Sequence, residues 1–352
     1  MTSLVIRRAR QGCAAVLAAL LTMVAAPAFG ASAPARGAAA PAKPPADALA
    51  ASLATIIAME RRVAPIVQRL AVDSARWCPV TMAMPGWLLG DRRLYRDAIW
   101  PRVRAAYGAG DIDAPFIAAL DPAGPAARAG LRPGDAISAI NGQPVVAASA
   151  DPHARMAAAH ALLAALPADA SFSVTTPRMA MPLTITPARG CASEFRVEAA
   201  DNVHAKADGL LVLISAGMVR FADADDELAT VIAHELAHNI LRHRARLDEA
   251  AITRGLAQLF GRNARLTRIT EAEADQLSVW LLSEAGYDPA AAVRFWTNYG
   301  KRHGGGIFQS PTHPTWRQRV AGVRAETALL ARLRAADPAA PPPMIANPAP
   351  LD

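Results

Sequence analysis

The chain has 352 residues, 53% of them hydrophobic, which is enough for two domains that each bury an apolar core. Its formal net charge of +7 comes almost entirely from arginine, since lysine occurs only at positions 43, 206 and 301. The arginines are mostly scattered along the chain, and this argues against a nucleic-acid partner.

Residues 1–33 have the pattern of an export signal. Three arginines precede an apolar core at residues 13–26, and small residues that offer cleavage sites follow. We therefore predict a signal peptide at 1–33, a flexible Ala/Pro-rich leader at 34–46 and a periplasmic mature protein. An uncleaved N-terminal anchor is the alternative. No later run reaches the ~18 apolar residues that a membrane-spanning helix needs, so we expect no transmembrane span once the signal is removed.

Two cysteines, Cys78 and Cys191, remain beyond the signal. An oxidising compartment permits a disulfide between them. Two free thiols are the alternative, because the sequence does not show that the two positions lie close in space.

Residues 47–106 are expected to pack against a C-terminal domain that contains a metal-binding motif. Asp47–Val72 has the apolar spacing of a helix, and Pro65 predicts a kink in it. Residues 77–100 are rich in Met, Pro, Gly and Trp and give no clear helix or strand pattern.

Residues 107–190 have the pattern of short strands, tight turns and one helix. The predicted elements are strands at Phe116–Leu120 and Ala136–Ile140, a helix at Ala154–Leu166, and strands at Ser171–Thr175 and Pro182–Thr186. Gly130 and Gly134 suit turns whose backbone conformation residues with a side chain rarely adopt. Asn141-Gly142 is typical of a tight hairpin turn.

Two pieces of this region, A-A-x-A-G-L-x-P-G-D at 126–135 and I-N-G-x-P-V at 140–145, resemble a PDZ domain of the bacterial exported-protease type. The resemblance implies a β-sandwich that binds extended peptides by adding them as a strand, often with capture of a C-terminal carboxylate. A β-sandwich that acts only as a structural spacer is the alternative.

The second domain, residues 191–336, contains the motif H-E-x-x-H at 234–238. Acidic residues before the motif, basic residues after it and the absence of Gly and Pro between them predict one helix over 225–243. Residues four apart share a helix face, so His234 and His238 can bind one metal ion while Glu235 reaches a water molecule beside it. This pattern predicts one zinc ion per chain.

The third ligand is predicted on a helix that begins at Thr270 and ends at Gly286. The pattern T-x-x-E assigns Glu273 to a capping box and leaves Glu271 free to reach the metal. Asp275 lies four residues further on and can accept the outer N–H of a metal-bound histidine.

Three segments together resemble the gluzincin family of HtpX, BepA and the CAAX prenyl proteases (peptidase family M48). They are HELAHNILRH at 234–243, EAEAD at 271–275 and THPTWRQR at 312–319. The resemblance covers roughly residues 195–330. It implies an α+β protein in which a mostly helical, zincin-like metalloprotease domain with a small edge sheet accompanies the PDZ-like β-sandwich.

The same resemblance implies His234, His238 and Glu271 as zinc ligands and Glu235 as the catalytic base. By analogy, the short strand Leu210–Ser215 edges the cleft and pairs with the substrate backbone.

The sequence departs from the family pattern at one point. The family's N-A-F-A stretch, which precedes the edge strand, corresponds here to residues 204–207, H-A-K-A.

His313 is predicted to face the zinc ion from a loop stiffened by prolines on both sides. It could occupy the open coordination position and silence the enzyme, or donate a hydrogen bond to the oxyanion. We expect the silencing role, because the sequence shows no pro-segment that would restrain an exported protease. Arg319 is predicted to anchor this loop and, like Asp275, to support the metal ligands without binding the metal. Residues 337–352, rich in Pro and Ala, are predicted to be disordered.

These features predict a zinc-dependent endopeptidase of the bacterial envelope. Its substrates would be misfolded or unassembled proteins, including exported or outer-membrane proteins, which the PDZ-like domain recruits or whose cleavage it regulates. One alternative is a latched chaperone or assembly factor with little proteolysis. The other is a PDZ adaptor on a structural zinc fold, against which Glu235 argues because a structural site needs no base.

Overall fold

The first described element is a long helix, α1, which spans Ala46–Asp73 and matches the predicted helix to within one residue at each end. The structure, a computed structural model, describes residues 46–145, 149–253, 255, 259–303 and 311–351. The predicted signal peptide lies outside the described residues, as does the leader up to residue 45. Pro65 lies inside α1, and the helix continues through it.

The PDZ-like module contains two pairs of strands and one four-stranded sheet. Its strands are β1 (Thr81–Met84), β2 (Trp87–Asp91), β3 (Pro115–Leu120), β4 (Ala139–Ile140), β5 (Gln143–Pro144), β6 (Phe172–Thr175), β7 (Leu183–Ile185) and β8 (Ala188–Cys191). Its helices are α2 (Trp100–Tyr107), α3 (Pro125–Arg128) and α4 (Pro152–Ala164). The pairs β1–β8 and β2–β3 are antiparallel, and the larger sheet has the order β5-β4-β6-β7.

Strands β1 and β2 extend the PDZ-like module beyond the predicted boundary at residue 107. Both lie in the segment 77–100, to which the sequence assigned no element, and each pairs with a strand far away in the chain. Pro85, Gly86 and Gly90 interrupt the alternation by which a short strand is recognised. The pairing therefore depends on long-range contacts that no local pattern encodes.

Two glycine-containing turns of the module have the predicted geometry. Asn141 and Gly142 have φ values of 48° and 73°, as a two-residue hairpin turn between β4 and β5 requires. Gly134 has φ +88°, and a Cβ atom there would lie 2.5 Å from the carbonyl oxygen of Tyr107. A side chain at position 134 would therefore disrupt the contact between this turn and the end of α2.

A disulfide joins Cys78 and Cys191, whose Cα atoms are 5.3 Å apart. Cys191 is the last residue of β8 and lies opposite Thr81 of β1. The bond thus links the two chain connections of the PDZ-like module, as the sequence allows.

The C-terminal domain contains one small sheet and a set of helices. Its strands are β9 (Glu194–Glu198), β10 (Ala205–Ala207) and β11 (Leu211–Ser215). Its helices are α5 (Ala216–Phe221), α6 (Asp225–Ile240), α7 (His243–Glu249), α8 (Gly261–Glu284), α9 (Ala290–His303), α10 (Trp316–Ala336) and α11 (Pro343–Ala346). This mixture confirms the predicted α+β class.

The strand predicted to edge the cleft is the central strand of the sheet. The order is β10-β11-β9, so β11 is paired on both sides, antiparallel to β10 and parallel to β9. Within the described part of the chain, β10 pairs with β11 alone and is the edge. The prediction took the apolar segment of β11 for the edge strand. It was wrong because such an apolar strand is typical of a position with a neighbouring strand on each side.

Helix α6 is buried along almost its whole length and ends earlier than predicted. Its side chains from Glu227 to Ala237 are all buried. It ends at Ile240, because Arg242 adopts a left-handed conformation with φ 53° and the chain restarts as α7 at His243. The expected single helix through His243 is therefore two helices with a sharp change of direction.

The predicted capping box at Thr270 does not exist. Helix α8 already begins at Gly261, so Thr270 and Glu273 lie inside it. The Thr270 hydroxyl donates to the carbonyl of Thr267, one turn earlier. A T-x-x-E pattern resembles a cap only if the preceding residues are not helical, which the sequence did not reveal.

Residues 337–351 also differ from the expected disordered tail. They include the short helix α11, and Met344 is buried against the core. The main chain of Ala349 contacts side chains of α7 and α8. Proline-rich composition does not prevent order when a segment contacts buried polar groups of the domain.

Helix α1 contacts both the PDZ-like module and the C-terminal domain. Tyr107 donates a buried hydrogen bond of 2.8 Å to Glu60. Two residues further on, the Arg62 guanidinium donates to the carbonyls of Val219 and Ala222, before the start of α6. One continuous apolar cluster includes side chains of α1, of the module and of α6 and α8.

No helix among the described residues is both long enough and apolar enough to cross a membrane.

We predict that replacing both Cys78 and Cys191 with serine destabilises the protein. The bond spans a sequence separation of 113 residues, for which loop-entropy models allow up to ~4–5 kcal/mol. Urea unfolding of the oxidised protein and of the double variant would measure the loss. Thiol titration of denatured, unreduced protein without residues 1–33 should find no free thiol, and two free thiols would contradict the bond.

Candidate active site

His234 and His238 lie on one face of α6 and point their rings to a common place. Their Nε2 atoms are 3.2 Å apart, and the ring planes are close to perpendicular. His234 is almost fully buried, whereas the side chain of His238 is 17% exposed. The helix spacing therefore brings together the two imidazoles as predicted.

Glu271 of α8 completes a group of three. Its Oε2 atom is 3.4 Å from Nε2 of His234, and its Oε1 atom is 3.5 Å from Nε2 of His238. A metal ion bonded tetrahedrally at about 2.0–2.1 Å separates its ligand atoms by roughly 3.3 Å. The three side chains thus have the spacing of metal ligands, and a cation between them would stabilise the buried polar atoms.

Asp275 orients His234 from behind. Its Oδ1 atom is 3.1 Å from Nδ1 of His234, which is the contact predicted from the sequence. Arg319 binds the same carboxylate at 2.6 and 2.7 Å. Burial alone would raise the pKa of Asp275, but the charges of Arg319 and His234 keep it below its ordinary value. The carboxylate therefore stays charged and can hold the His234 ring.

Arg319 lies behind the predicted ligands, next to Asp275. It binds Asp275 and stacks over the ring of Trp296, 3.3 Å from the ring centroid. The helix α10 begins at Trp316 and turns Arg319 inward, whereas the loop precedes the helix. Arg319 thus contributes to the orientation of His234.

Glu235 lines the same cleft as the three clustered residues. It is 8% exposed, and burial raises the pKa of its carboxyl to about 7. A group whose pKa lies near neutrality can both accept and return a proton at neutral pH. Its position and its environment suit a general base.

His313 also lies at the cleft. Its Nε2 atom is 3.6 Å from Oε2 of Glu271, and its Nδ1 atom is 2.9 Å from the hydroxyl of Thr312. The side chain is 50% exposed, so it borders the open side of the group and can be reached from the solvent.

The cleft has a volume of about 720 Å³ and is bordered by β10, α6, α9 and the start of α10. Trp296 and Tyr299 of α9 form one wall with Trp316. Gly300 permits this packing, because a Cβ atom there would lie 2.1 Å from Cγ of Trp316. The edge strand β10 also lines the cleft, and it contains the last three residues of the H-A-K-A stretch in which the sequence departs from the family pattern.

The backbone of β10 has groups directed away from its partner strand. Ser215 donates to the carbonyl of His204, and Asp208 donates to the carbonyl of Leu211. In an antiparallel pair, bonded residues alternate with residues whose N–H and C=O point outward. Ala205 and Ala207 are therefore the positions whose backbone can bond an added strand at the cleft.

The sequence did not identify His243, which contacts a residue of the group. Its Nδ1 atom is 2.9 Å from Nδ1 of His238, and it is 2% exposed. On one continuous helix, position 243 would not face position 238, so the pattern assigned His243 only to the basic helix end. No sequence signal predicts the left-handed residue Arg242 that turns His243 back.

Comparison with protein families gives two matches. The profile of Peptidase family M48 matches residues 195–262 and 249–327, which contain the His-His-Glu group. A PDZ domain profile matches residues 116–175.

The chain is similar to several curated proteins, each over only part of that protein's length. The mitochondrial metalloendopeptidase OMA1 of Schizosaccharomyces pombe is 28% identical over 132 residues, which are 31% of this chain and 39% of that protein. The beta-barrel assembly-enhancing protease of Yersinia pestis is 32% identical over 112 residues, or 24% of this chain and 23% of that protein. A putative beta-barrel assembly-enhancing protease of Vibrio cholerae is 28% identical over 147 residues, 33% and 30% of the two chains.

The chain thus spans less than half the length of these relatives. The two profile matches follow one another along the chain, and the clustered residues His234, His238 and Glu271 fall within the second. The chain therefore matches a PDZ domain and, after it, peptidase family M48.

Proposed function

We propose that this protein is a zinc-dependent endopeptidase of the bacterial envelope that hydrolyses misfolded or unassembled exported proteins. The observation that carries the proposal is the close group of ligand atoms from His234, His238 and Glu271, in one cleft with Glu235. The two Nε2 atoms are 3.2 Å apart, and each lies 3.4 or 3.5 Å from one of the two carboxylate oxygens of Glu271. The family match and the metalloendopeptidase and protease names of the relatives support it.

Zinc is the metal that this donor set suits best. Two imidazole nitrogens and one carboxylate oxygen are the protein ligands of many catalytic zinc sites, in which a fourth position stays open. A zinc ion held by His234, His238 and Glu271 would polarise both a water molecule and the scissile carbonyl.

The chain's own residues would position the peptide and move the proton. A substrate segment can add antiparallel to β10 through the backbone of Ala205 and Ala207, which places its carbonyl groups along the cleft. Glu235 would take a proton from the attacking water and deliver it to the leaving amine. Asp275 would hold the His234 ring in the orientation that its role as a ligand needs.

The location in the envelope and the substrate class rest on separate features. The export-signal pattern at 1–33 and the disulfide favour an oxidising compartment outside the cytoplasm. The names of two relatives refer to β-barrel assembly, which suggests outer-membrane proteins among the clients.

The PDZ domain would recruit clients or regulate their cleavage. A cavity of about 40 Å³ lies where β2 and α4 meet α1 and β9. Its lining is mostly apolar, with Trp87, Leu89 and Met156 among its residues, and it includes the polar side chains of Gln68 and Glu194. Such a lining beside a strand suits a side chain of an extended client peptide.

A latched chaperone or assembly factor is the second candidate. The contact of 3.6 Å between His313 and Glu271 favours it, because an imidazole so close to the ligands can compete with the water molecule. Both candidates share the zinc site and differ in how often it is open.

We expect the purified protein to contain one zinc ion per chain and to digest casein. His234→Ala, His238→Ala and Glu271→Ala should each lose the metal, because two remaining ligands bind it weakly. Glu235→Gln should keep the metal and lose activity, because only the base is removed. Metal analysis and a casein assay with and without a chelator would measure both.

Glu273→Ala tests the choice between Glu271 and Glu273 as the third ligand. It should retain far more zinc than Glu271→Ala. Full zinc in Glu271→Ala together with loss in Glu273→Ala would reverse the assignment, and casein digestion that survives complete removal of metal would refute the proposed function.

We predict that Ala207→Pro lowers kcat/KM for peptides by tenfold or more while the protein stays folded. The substitution removes an outward N–H on an edge strand, where proline is tolerated structurally. Lys206→Ala is the matched control, because it changes a side chain of β10 and keeps every backbone donor. Equal activity of Ala207→Pro and the parent would show that substrates do not pair with β10.

The effect of His313→Ala separates the two roles of that residue. We expect casein digestion or self-cleavage to rise while zinc stays near one per chain, because the competing imidazole is gone. His303→Ala, another exposed histidine of the cleft, is the control. A fall of ~100-fold or more with zinc unchanged would instead assign His313 to the oxyanion.

A further inference from the structure

His238 is held by a second histidine. Its Nε2 atom faces His234 and Glu271, so its Nδ1 atom is the one that remains for a hydrogen bond. That atom is 2.9 Å from Nδ1 of His243, whose ring is nearly perpendicular at a centroid distance of 4.8 Å. With Nε2 of His238 turned to the metal position, its Nδ1–H donates and Nδ1 of His243 accepts.

The second histidine lies against Glu273. Because Nδ1 of His243 accepts, its proton is on Nε2, and this atom is 3.3 Å from Oε2 of Glu273, which is an ion-pair distance without the alignment of a hydrogen bond. Glu273 is 4% exposed and accepts two hydrogen bonds, from Nη1 of Arg246 at 2.9 Å and from the backbone N–H of Ala349 at 2.6 Å. Both carboxylate oxygens are therefore engaged.

The segment 343–351 is fixed at the same place. Nη2 of Arg246 donates to the carbonyl of Ala349 at 2.6 Å, so one residue of the segment bonds both members of the ion pair. Met344 inserts into the core and fixes the segment to the domain. The segment thus limits the positions that Arg246 and Glu273 can adopt.

The backbone is strained at the residue that makes this chain of contacts possible. Arg242 has φ 53°, a conformation unfavourable for residues other than glycine. It ends α6 and directs His243 back toward His238. Strain that the surrounding structure maintains is a recurrent property of functional sites.

We propose that His243 and Glu273 are positioning residues for the metal ligand His238, and that Ala349 holds Glu273 in place for this role. The inference rests on the proposed function, in which His238 binds zinc. This relay, which runs from Glu273 through His243 to His238, fixes the tautomer and ring orientation of His238, as Asp275 does directly for His234. Loss of such support typically weakens metal binding by 10–100-fold.

The first test is Glu273→Gln in the full chain. We expect metal affinity, measured by competition with a chromogenic chelator, to fall by about 10–100-fold. The visible spectrum of the Co²⁺-loaded protein should shift, because the His238 ring is less well oriented. The control is Glu326→Gln, since Glu326 is equally buried and accepts a bond of 2.7 Å from Trp280.

The second test changes one backbone donor. Ala349→Pro removes the N–H that bonds Glu273 and leaves every side chain of the relay in place. It should reproduce part of the affinity loss and of the spectral shift, and it should add little when combined with Glu273→Gln. Leu351→Pro, which keeps the Ala349 N–H, should bind metal as the parent does.

Unchanged Co²⁺ spectra and metal affinities in both Glu273→Gln and Ala349→Pro would overturn the inference. An equal loss in Glu326→Gln would do the same, since the effect would then be general destabilisation. A parent protein that binds no metal would refute the proposed function itself. If Glu273→Gln fails to fold, the comparison of Ala349→Pro with Leu351→Pro decides.

Discussion

The packing of α6 against α8 is the constraint on which the site depends. One helix supplies His234, Glu235 and His238, and the other supplies Glu271 and Asp275, so the site exists only where the two buried faces meet. Burying five ionisable groups together is costly unless a cation and hydrogen bonds compensate. Arg319 supplies one positive charge on the Asp275 side, and a metal ion would supply the other. Metal binding would therefore be coupled to the final packing of these helices.

The part of the site encoded by short-range spacing could be predicted from the sequence. His234 and His238 are four residues apart on one helix, and the structure places Glu271 and Asp275 beside them as the sequence predicts. The side chains that Arg319 binds, and the contact made by His243, could not be predicted. They depend on where α10 begins and on the backbone of Arg242, and neither feature has a local sequence signal.

In the fold, too, the features set by local sequence could be predicted and those set by distant contacts could not. The turn at Asn141-Gly142 and helix α1 follow from local residue preferences, and both match the prediction. The pairing of β2 with β3, the central place of β11 and the order in residues 337–351 depend on partners distant in the chain. Glu273 was misassigned because its partners, His243, Arg246 and Ala349, lie on three other segments.

The contacts of helix α1 limit how the domain arrangement of such a protein can evolve. Profiles match residues 116–175 and 195–327 separately, but one apolar cluster runs from α1 through both regions. Glu60 of α1 also accepts a hydrogen bond from Tyr107 of the PDZ-like module, and Arg62 donates to carbonyls of the C-terminal domain. A PDZ domain transplanted from another protein would meet a face of α1 shaped for a different neighbour. Exchange by recombination would therefore leave cavities or clashes. New client preferences are more readily acquired by substitutions in the cavity beside β2 and α4 than by replacement of the whole module.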